Sequence, residues 1–463
     1  MSENKRNSHI EISERKFLLR IVDALIVTFT IYVSGKLLSI NYFEETTSFP
    51  FPVIVLLAYL NFFGAIFEMY HLPVTVNRLQ TIRAVILSVS VSVILYFFTP
   101  FFSPELPTKR FHFLYFYFVT LFPLLAWRWL YIKFFTSHRF MKKAVMICSS
   151  TQVYDLSVSL ESVDPHYKVI AYLDLDPNTT SAYINDYKPI RNAADLNRIV
   201  EENGVYEVIV APDANVRTIN PELLELTEKG VIIKDFAYAY EMLANKIPIE
   251  WIDQDFYRYF PFSRINHNKL YLFSVRFGEF VFSIIGLVLG GLFLLPIVFL
   301  CNLIGNRGSL FYSQERVGKN GATFKIIKFR TMVKDAEKNG AAFAQKNDSR
   351  ITPFGKFLRK SRIDELPQLI NVLKGEMSII GPRPERPVFV EMITEKMPLY
   401  TARHSIKPGL TGWAQINYRY TDSIEDSIEK LKYDLFYIKH RSIFMDINII
   451  IKTIGTVVFY RGQ

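Results

Sequence analysis

Cysteine is nearly absent: two residues in a chain of 463. Cys148 and Cys301 lie far apart, each in an apolar run, which excludes a disulfide framework and a cysteine zinc site. Histidine is sparse as well. His404 and His440 each lack a second histidine nearby, so core or surface roles suit them better than metal binding. The opening stretch "MSENKRNSHIEISERK" has no apolar core, so no cleavable signal peptide is expected. Glycine is missing where one fold would need it. Residues 143–250 alternate short apolar runs ("AVMIC", "VIAYLDL", "VYEVIVA") with amphipathic stretches ("NAADLNRIVEEN", "NPELLELTEK"), the rhythm of a small parallel-sheet domain. A dinucleotide-binding version would place G-x-G-x-x-G after the first strand, but "CSSTQVYD" contains none. A degenerate Rossmann-like domain serving as spacer or regulatory module is expected there. With no Tyr-x-x-x-Lys site in that region, a membrane-anchored NAD-dependent sugar-modifying enzyme is disfavoured.

Aromatic and apolar residues, by contrast, are abundant. Half the chain is hydrophobic, with 40 Phe and 26 Tyr, a load suited to lipid interfaces. Residues 1–16 read as a polar tail and 17–136 as a four-helix transmembrane region. Its apolar segments are Ile21–Leu38, Thr46–Phe67, Ala84–Phe102 and Phe111–Trp127, close to the roughly 20 residues a spanning helix needs. Arg20 and Asp23 sit at the start of the first, where polar side chains can reach the interface. Basic residues flank the bundle on one side (Lys5, Arg6, Arg15, Lys16; Arg78, Arg83; Arg128, Lys133, Arg139, Lys142, Lys143), whereas "SINYFEETTSFP" carries two glutamates and no base. The positive-inside rule then places the N-terminus and everything after the fourth span in the cytoplasm.

A fifth apolar run, about 280–304, is uncharged and long enough to cross. Both its flanks are basic, however: Arg264, Lys269 and Arg276 before, Arg307, Arg316 and Lys319 after. Pro296 breaks the helical ladder, with Gly286, Gly290 and Gly291 loosening the turns before it. A Pro-kinked re-entrant helix that returns to the cytoplasmic face fits both facts.

The polar region beyond carries the chemistry. "FKIIKFRTMVKDAEK" suggests a strand leading into a helix and supplies Lys328 and Arg330. In "TPFGKFLRKSR", Thr352 is placed to cap a helix with Pro353 at its first position; Phe354, Phe357 and Leu358 oppose Lys356, Arg359, Lys360 and Arg362. This basic amphipathic helix suits either an anionic membrane surface or ordinary packing on a core. In "SRIDELPQLINVLKGEMSIIGPRP", Asp364 is expected at a helix N-cap, with Glu365 first, Pro367 third and a stop at Lys374-Gly375. A carboxylate there should have a lowered pKa. Capping alone would account for it, but not for the arginines close by. Pro382 and Pro384 hold Arg383 extended, and its planar fork suits phosphate. Two carboxylates facing a phosphate imply a divalent ion, with Mg²⁺ the natural oxygen-seeking choice. Carboxylates can also attack phosphorus, and spacing alone does not separate ligand from nucleophile. The formal charge of +10, set beside membrane spans, fits anionic lipid and substrate better than nucleic acid.

These stretches, with "RFGEF", "QERVGKNGATFKIIKFRTM", "RHSIKPGLTGWAQIN" and "YDLFYIKHRSIFMDINIIIKT", occur in order over residues 265–463. They resemble the bacterial sugar transferases, the polyprenyl-phosphate hexose-1-phosphate transferases in their large membrane form. The resemblance implies transfer of sugar-1-phosphate from a UDP-sugar, UDP-glucose or UDP-galactose, to undecaprenyl phosphate at the cytoplasmic face of the bacterial inner membrane. UMP would leave, and an exopolysaccharide, capsule or O-antigen would begin. By the same resemblance Asp364 is the nucleophile of a phosphosugar-aspartyl intermediate, Glu365 handles metal or proton, and Arg383 binds phosphates. Pro382, Pro384, Lys328, Arg330, Arg359 and Asp446 are grouped with substrate binding. The family commonly bends its membrane segment at Ser-Pro, whereas here the pair is Leu295-Pro296. A homodimer is also expected. A catalytically inactive scaffold of polysaccharide assembly is the alternative, and intact Asp364, Glu365 and Arg383 count against it.

Overall fold

The computed structural model describes residues 12–38, 51–70, 78–100, 103, 109–135, 141–164, 167–176, 184, 186–190, 192–251, 268–305, 308–333, 336, 348–418 and 423–458. Most of the expected tail 1–16 and the acidic loop before the second span lie outside these residues. The chain divides into two compact units, 1–239 and 240–463.

The first unit opens with four apolar helices: α1 (Ile12–Leu38), α2 (Phe51–Ile66), α3 (Arg78–Phe97) and α4 (Arg110–Phe135). Leu19, Val27, Leu56, Val89, Tyr96 and Leu124 pack into one core. Three of these helices are long and apolar enough to cross a membrane. Helix α2 is described over 16 residues, about 24 Å at ordinary helical rise; residues 46–50 of the expected segment lie outside the described residues. Its chain leaves the helix near Glu68, which takes a left-handed φ of 61°. Asp23, expected to reach the interface, is instead buried and bonded to Arg128 of α4 at 2.6 Å. A charge at membrane depth is tolerated when paired in this way.

A five-stranded parallel sheet follows: β1 (Lys142–Ile147), β2 (Tyr167–Leu173), β3 (Lys188–Ile190), β4 (Glu207–Val210) and β5 (Ile232–Asp235), in spatial order β3-β2-β1-β4-β5. Helices α5 (Val153–Val163), α6 (Ala194–Asn203) and α7 (Asn220–Glu228) lie between its strands in sequence. Val145, Ile147, Val208, Leu196 and Leu226 form its core. Helix α8 (Phe236–Ala244) follows β5.

In the second unit, residues 240–250 belong to the C-terminal core rather than to the parallel-sheet region. Ile247 and Ile249 pack with Ile393, Leu435 and Ile438, and Trp413 Nε1 donates to the Asn245 carbonyl. The fifth apolar helix begins at Lys269, earlier than about 280, because Asn268 caps it by accepting from the Leu270 and Tyr271 amides. It comprises α9 (Lys269–Leu289), a π-helical turn (Gly290–Leu294) and α10 (Leu295–Gly305). The wider turn lies just before Pro296 and leaves room for the ring that an α-helical ladder would press against the carbonyl four residues back.

Strands β6 (Phe311–Val317) and β7 (Thr323–Phe329) form an antiparallel hairpin, turned at Asn320 and Gly321, both with positive φ, as a tight turn requires. No described helix directly follows β7; Met332 instead bridges to Ile351, and most of 334–347 lies outside the described residues. Helix α11 (Pro353–Lys360) starts as expected, with Thr352 accepting from the Gly355 amide at 3.0 Å. Leu358 packs with Val298 and Phe329, while Phe357 stays exposed. Then come a 3₁₀ segment (Ile363–Gln368), α12 (Leu369–Lys374), β8 (Ser378–Ile380), α13 (Pro387–Lys396), a second 3₁₀ segment (Pro398–Ser405), β9 (Gly409–Thr411), α14 (Trp413–Asn417), α15 (Ile424–His440) and α16 (Ile443–Val458).

Candidate active site

Pro367 sets the shape of the segment carrying the acidic pair. It has no N–H to give and would crowd the carbonyl of Ile363 in an α-helix, so the chain makes a tighter 3₁₀ turn through Ile363–Gln368. Arg362 precedes that turn with φ 57°. Asp364 is therefore inside the turn and is not an N-cap, contrary to its sequence expectation. The regular helix begins at Leu369 and stops at Gly375, left-handed at φ 83°, as the Lys374-Gly375 signal indicated.

Several elements fix this turn. Fully buried Asn371 donates to the Lys325 carbonyl and to Glu376, and its side-chain oxygen accepts from the Ile327 amide. It thereby stitches the strand bearing Lys328 to the helix behind the acidic pair. Arg276 in α9 donates to the carbonyls of Val372 and Leu373 at 2.5 and 2.7 Å. Buried Glu279 accepts from the Ser378 hydroxyl and the Ile379 amide. Leu366 and Leu369 seat against Gly290 and Gly286, where a β-carbon would come within 2.3 and 2.6 Å of their side chains.

Asp364 and Glu365 are adjacent but differently surrounded. Glu365 Oε1 accepts from Arg383 Nη2 at 2.7 Å and Lys328 Nζ at 3.2 Å, and Arg362 Nη1 lies 3.4 Å from both carboxylate oxygens. Burial by itself would raise the Glu365 pKa, but Arg383, Lys328 and Arg362 hold it well below the ordinary carboxylate range. Asp364 is buried, and its Oδ1 has no hydrogen-bond partner among the described residues. Burial and the charge of Glu365 push its pKa up to about 6. The lowering expected of a cap is reversed because no backbone amide among the described residues compensates the desolvation of Oδ1. Burial pulls the Lys328 pKa down, against the pull of Glu365.

The other sequence-selected residues divide. Arg359 donates from Nε to the Thr331 hydroxyl at 2.9 Å and adds positive potential at Asp364. The Arg330 amide donates to the Leu310 carbonyl at 2.9 Å, joining the β7 end to the β6 side. Asp446 does not join the pair. It is buried and accepts from the Tyr271 and Tyr437 hydroxyls at 2.5 and 2.7 Å, with Arg441 over both tyrosine rings, tying the start of α9 to α15 and α16. Pro382 and Pro384 hold a stretch whose carbonyls are all occupied: Pro382 by the Gly409 amide, Arg383 by Arg403, Pro384 by Arg316, and Glu385 by the Val317 amide. Arg403, buried with Asp434, was not singled out from the sequence. Its partners are far along the chain, and only the arginine-bearing motif "RHSIKPG" hinted at it.

No three His, Cys, Asp or Glu side chains among the described residues converge as a metal cluster. The orphaned, buried Oδ1 of Asp364 nevertheless fits Mg²⁺, which commonly takes one or two carboxylates and completes its shell with substrate phosphates and water.

A model of the family described as bacterial sugar transferase matches residues 270–460. A Bacillus subtilis (strain 168) protein named "Uncharacterized sugar transferase EpsL" is 40% identical over 157 residues, covering 33% of this chain and 72% of that one. The chain belongs to the bacterial sugar transferase family. The UDP-N-acetylgalactosamine-undecaprenyl-phosphate N-acetylgalactosaminephosphotransferase of Aeromonas hydrophila is 42% identical over 190 residues, 41% of this chain and 45% of the relative. The UDP-glucose:undecaprenyl-phosphate glucose-1-phosphate transferase of Escherichia coli (strain K12) is 41% identical over 153 residues, 33% of each chain. The matched region thus spans less than half of these two relatives, and the family model's range of 270–460 contains the acidic pair and Arg383.

A second model, described as a CoA-binding domain, matches residues 65–234. The turn after β1, where a parallel sheet of this kind would hold a phosphate, is filled from within. The Ser150 amide donates to Asp174 Oδ2 at 2.8 Å, and Gln152 Nε2 donates to Asp213 at 3.1 Å. A carboxylate already standing on that amide does not fit a nucleotide phosphate.

Proposed function

We propose that this protein transfers sugar-1-phosphate from a UDP-sugar to undecaprenyl phosphate, an early membrane step of bacterial polysaccharide synthesis. The observation that carries the reading is the asymmetry of the acidic pair: one carboxylate is clamped by three cations, and its buried neighbour has an oxygen without a hydrogen-bond partner among the described residues. Ionised Asp364 attacks the sugar-bearing phosphorus through the carboxylate oxygen that the metal would leave open. The bond from that phosphorus to the oxygen bridging the two phosphates breaks, and UMP departs with that oxygen. An oxygen of undecaprenyl phosphate then attacks the same phosphorus, and the Asp364 carboxylate is released unchanged. Splitting the transfer lets the nucleotide leave before the bulky lipid attacks. Arg383 and Lys328, held on Glu365 between turnovers, bind the diphosphate oxygens, since an arginine fork suits phosphate. Charge neutralisation at the diphosphate is what Mg²⁺ bound by Asp364 and Glu365 would supply.

The apolar helix delivers this site to the membrane surface by re-entry. Arg276 and Val298 lie roughly six turns apart, about 33 Å of helix, yet both touch the polar body around the acidic pair. A helix that left that body to cross the bilayer would touch it at one end only. Together with basic residues on both flanks, this supports a cytoplasmic catalytic face at the bacterial inner membrane. The parallel-sheet region, as a Rossmann-like module without a nucleotide, acts as spacer or regulator, and the protein works as a homodimer.

UMP release by purified protein with undecaprenyl phosphate and Mg²⁺ tests the reading across UDP-glucose, UDP-galactose and UDP-N-acetylgalactosamine. Release with UDP-glucose or UDP-galactose is expected. Folded protein that releases no UMP with any donor contradicts the proposal.

A further inference from the structure

The stretch that presents Arg383 is held at four successive carbonyls, and one grip comes from deep inside the second unit. Arg403 is 5% exposed. Its Nη2 donates to the Arg383 carbonyl at 3.0 Å and to Asp434 Oδ2 at 2.8 Å; Nε reaches the same carboxylate oxygen at 3.1 Å, and Nη1 donates to the Tyr400 hydroxyl at 2.9 Å. Asp434 is likewise buried. Buried ion pairs are weak stabilisers, because desolvation offsets much of their attraction and apolar isosteres often serve as well. Packing alone therefore gives little reason for this pair. The bond to the Arg383 carbonyl gives one.

We infer that Arg403, oriented by Asp434, is a positioning residue that fixes the backbone of Arg383 and so holds its guanidinium over Glu365. Pro382 and Pro384 set the backbone angle on either side, and the Pro384 nitrogen cannot donate. The rotation that remains is at Arg383 itself, and locking its carbonyl removes it. The Arg383 Nη2 then meets Glu365 Oε1 at 2.7 Å. Small displacements of such a group matter, since a misplacement of about 1 Å can cost on the order of 100-fold in rate. The assignment rests on the proposed phosphosugar transfer for its consequence, though not for its geometry.

The test uses full-length protein in lipid nanodiscs. Arg403→Met with Asp434→Leu removes both buried charges and frees the Arg383 carbonyl, while Arg403→Lys keeps the cation but loses the fork. In either background KM for the UDP-sugar should rise on the order of tenfold. Arg383→Lys should also cost up to about tenfold less there than in the wild type, because the two sites act through one interaction. A purely structural role would leave the losses multiplicative. A double-mutant cycle on unfolding free energy reads the same link without turnover: the destabilisation caused by Arg383→Lys should shrink in the Arg403→Lys background, because the contact of Arg383 with Glu365 is already loosened there. That readout decides the positioning role even if wild-type protein releases no UMP and the transfer reading fails. Should the charge-free pair not fold, Arg403→Lys carries the same expectations. A folded variant with multiplicative kinetic losses and additive unfolding effects overturns the inference.

Discussion

Arg383 donates from Nη2 to Glu365 Oε1 across 2.7 Å, while Asp364 Oδ1, on the adjacent residue, accepts nothing among the described residues. Peptide neighbours thus have opposite electrostatics: Glu365 is held far into its ionised form, and Asp364 is kept basic for a carboxylate. A nucleophile gains from that basicity provided it is still ionised near neutral pH.

The acid limb of turnover should follow. As pH falls through about 6, Asp364 takes up a proton and can no longer serve as the proposed nucleophile. The pH–rate profile should fall below an apparent pKa near 6, a value belonging to the interacting pair. Rates unchanged down to pH 5 would contradict this.

Asp364→Asn should lose activity yet gain stability at neutral pH. The folded-state pKa, about 6, lies above the ordinary 3.8. The folded protein therefore binds more protons between those values, and this group's contribution is complete below 3.8 and lost as pH rises through 6. Removing the ionisable group relieves a cost of about 3 kcal/mol. Thermal unfolding of the variant should occur at higher temperature than wild type at pH 7.5, with the difference shrinking toward pH 4.

The seating of the membrane helix can be probed with two adjacent glycines. A β-carbon at Gly290 would lie 2.3 Å from Leu366, whereas at Gly291 it meets nothing within 4 Å. Gly290→Ala should cost about 1–3 kcal/mol and lower turnover by displacing the turn that carries Asp364. Gly291→Ala should leave both unchanged or slightly improved. Equal effects in melting and UMP-release assays would contradict the packing.

Asn371→Ala removes a fully buried amide that serves three backbone and side-chain partners. Leaving them unsatisfied should cost about 1–3 kcal/mol, read by chemical denaturation, and should slow turnover by loosening Lys328 from Glu365.

Much of this site was legible in the sequence because its signals are local. The Thr352-Pro353 start, the Gly375 stop and the stiffened Pro-Arg-Pro stretch each depend on neighbours a few residues away. The acidic pair was legible as chemistry but not as geometry: spacing admits Pro367 to the first turn of an α-helix, while the chain chose a 3₁₀ turn that moved Asp364 off the cap and reversed the direction of its pKa. What lay outside reach involves distant partners. Asp446 bonds to Tyr271, Arg403 to Asp434 and to the Arg383 carbonyl, and Asp23 to Arg128. No periodicity or motif spacing encodes such pairings, and each is a tertiary contact of the packed chain.

Transfer through Asp364 is tested most directly by incubating the protein with a UDP-sugar labelled in the sugar, without the lipid acceptor, and mapping the label by peptide mass spectrometry. A phosphosugar on the peptide containing Asp364, formed with a burst of UMP close to one per site and discharged on adding undecaprenyl phosphate, is the predicted result. UMP released only when the lipid is present, with no labelled peptide at any time, would contradict it.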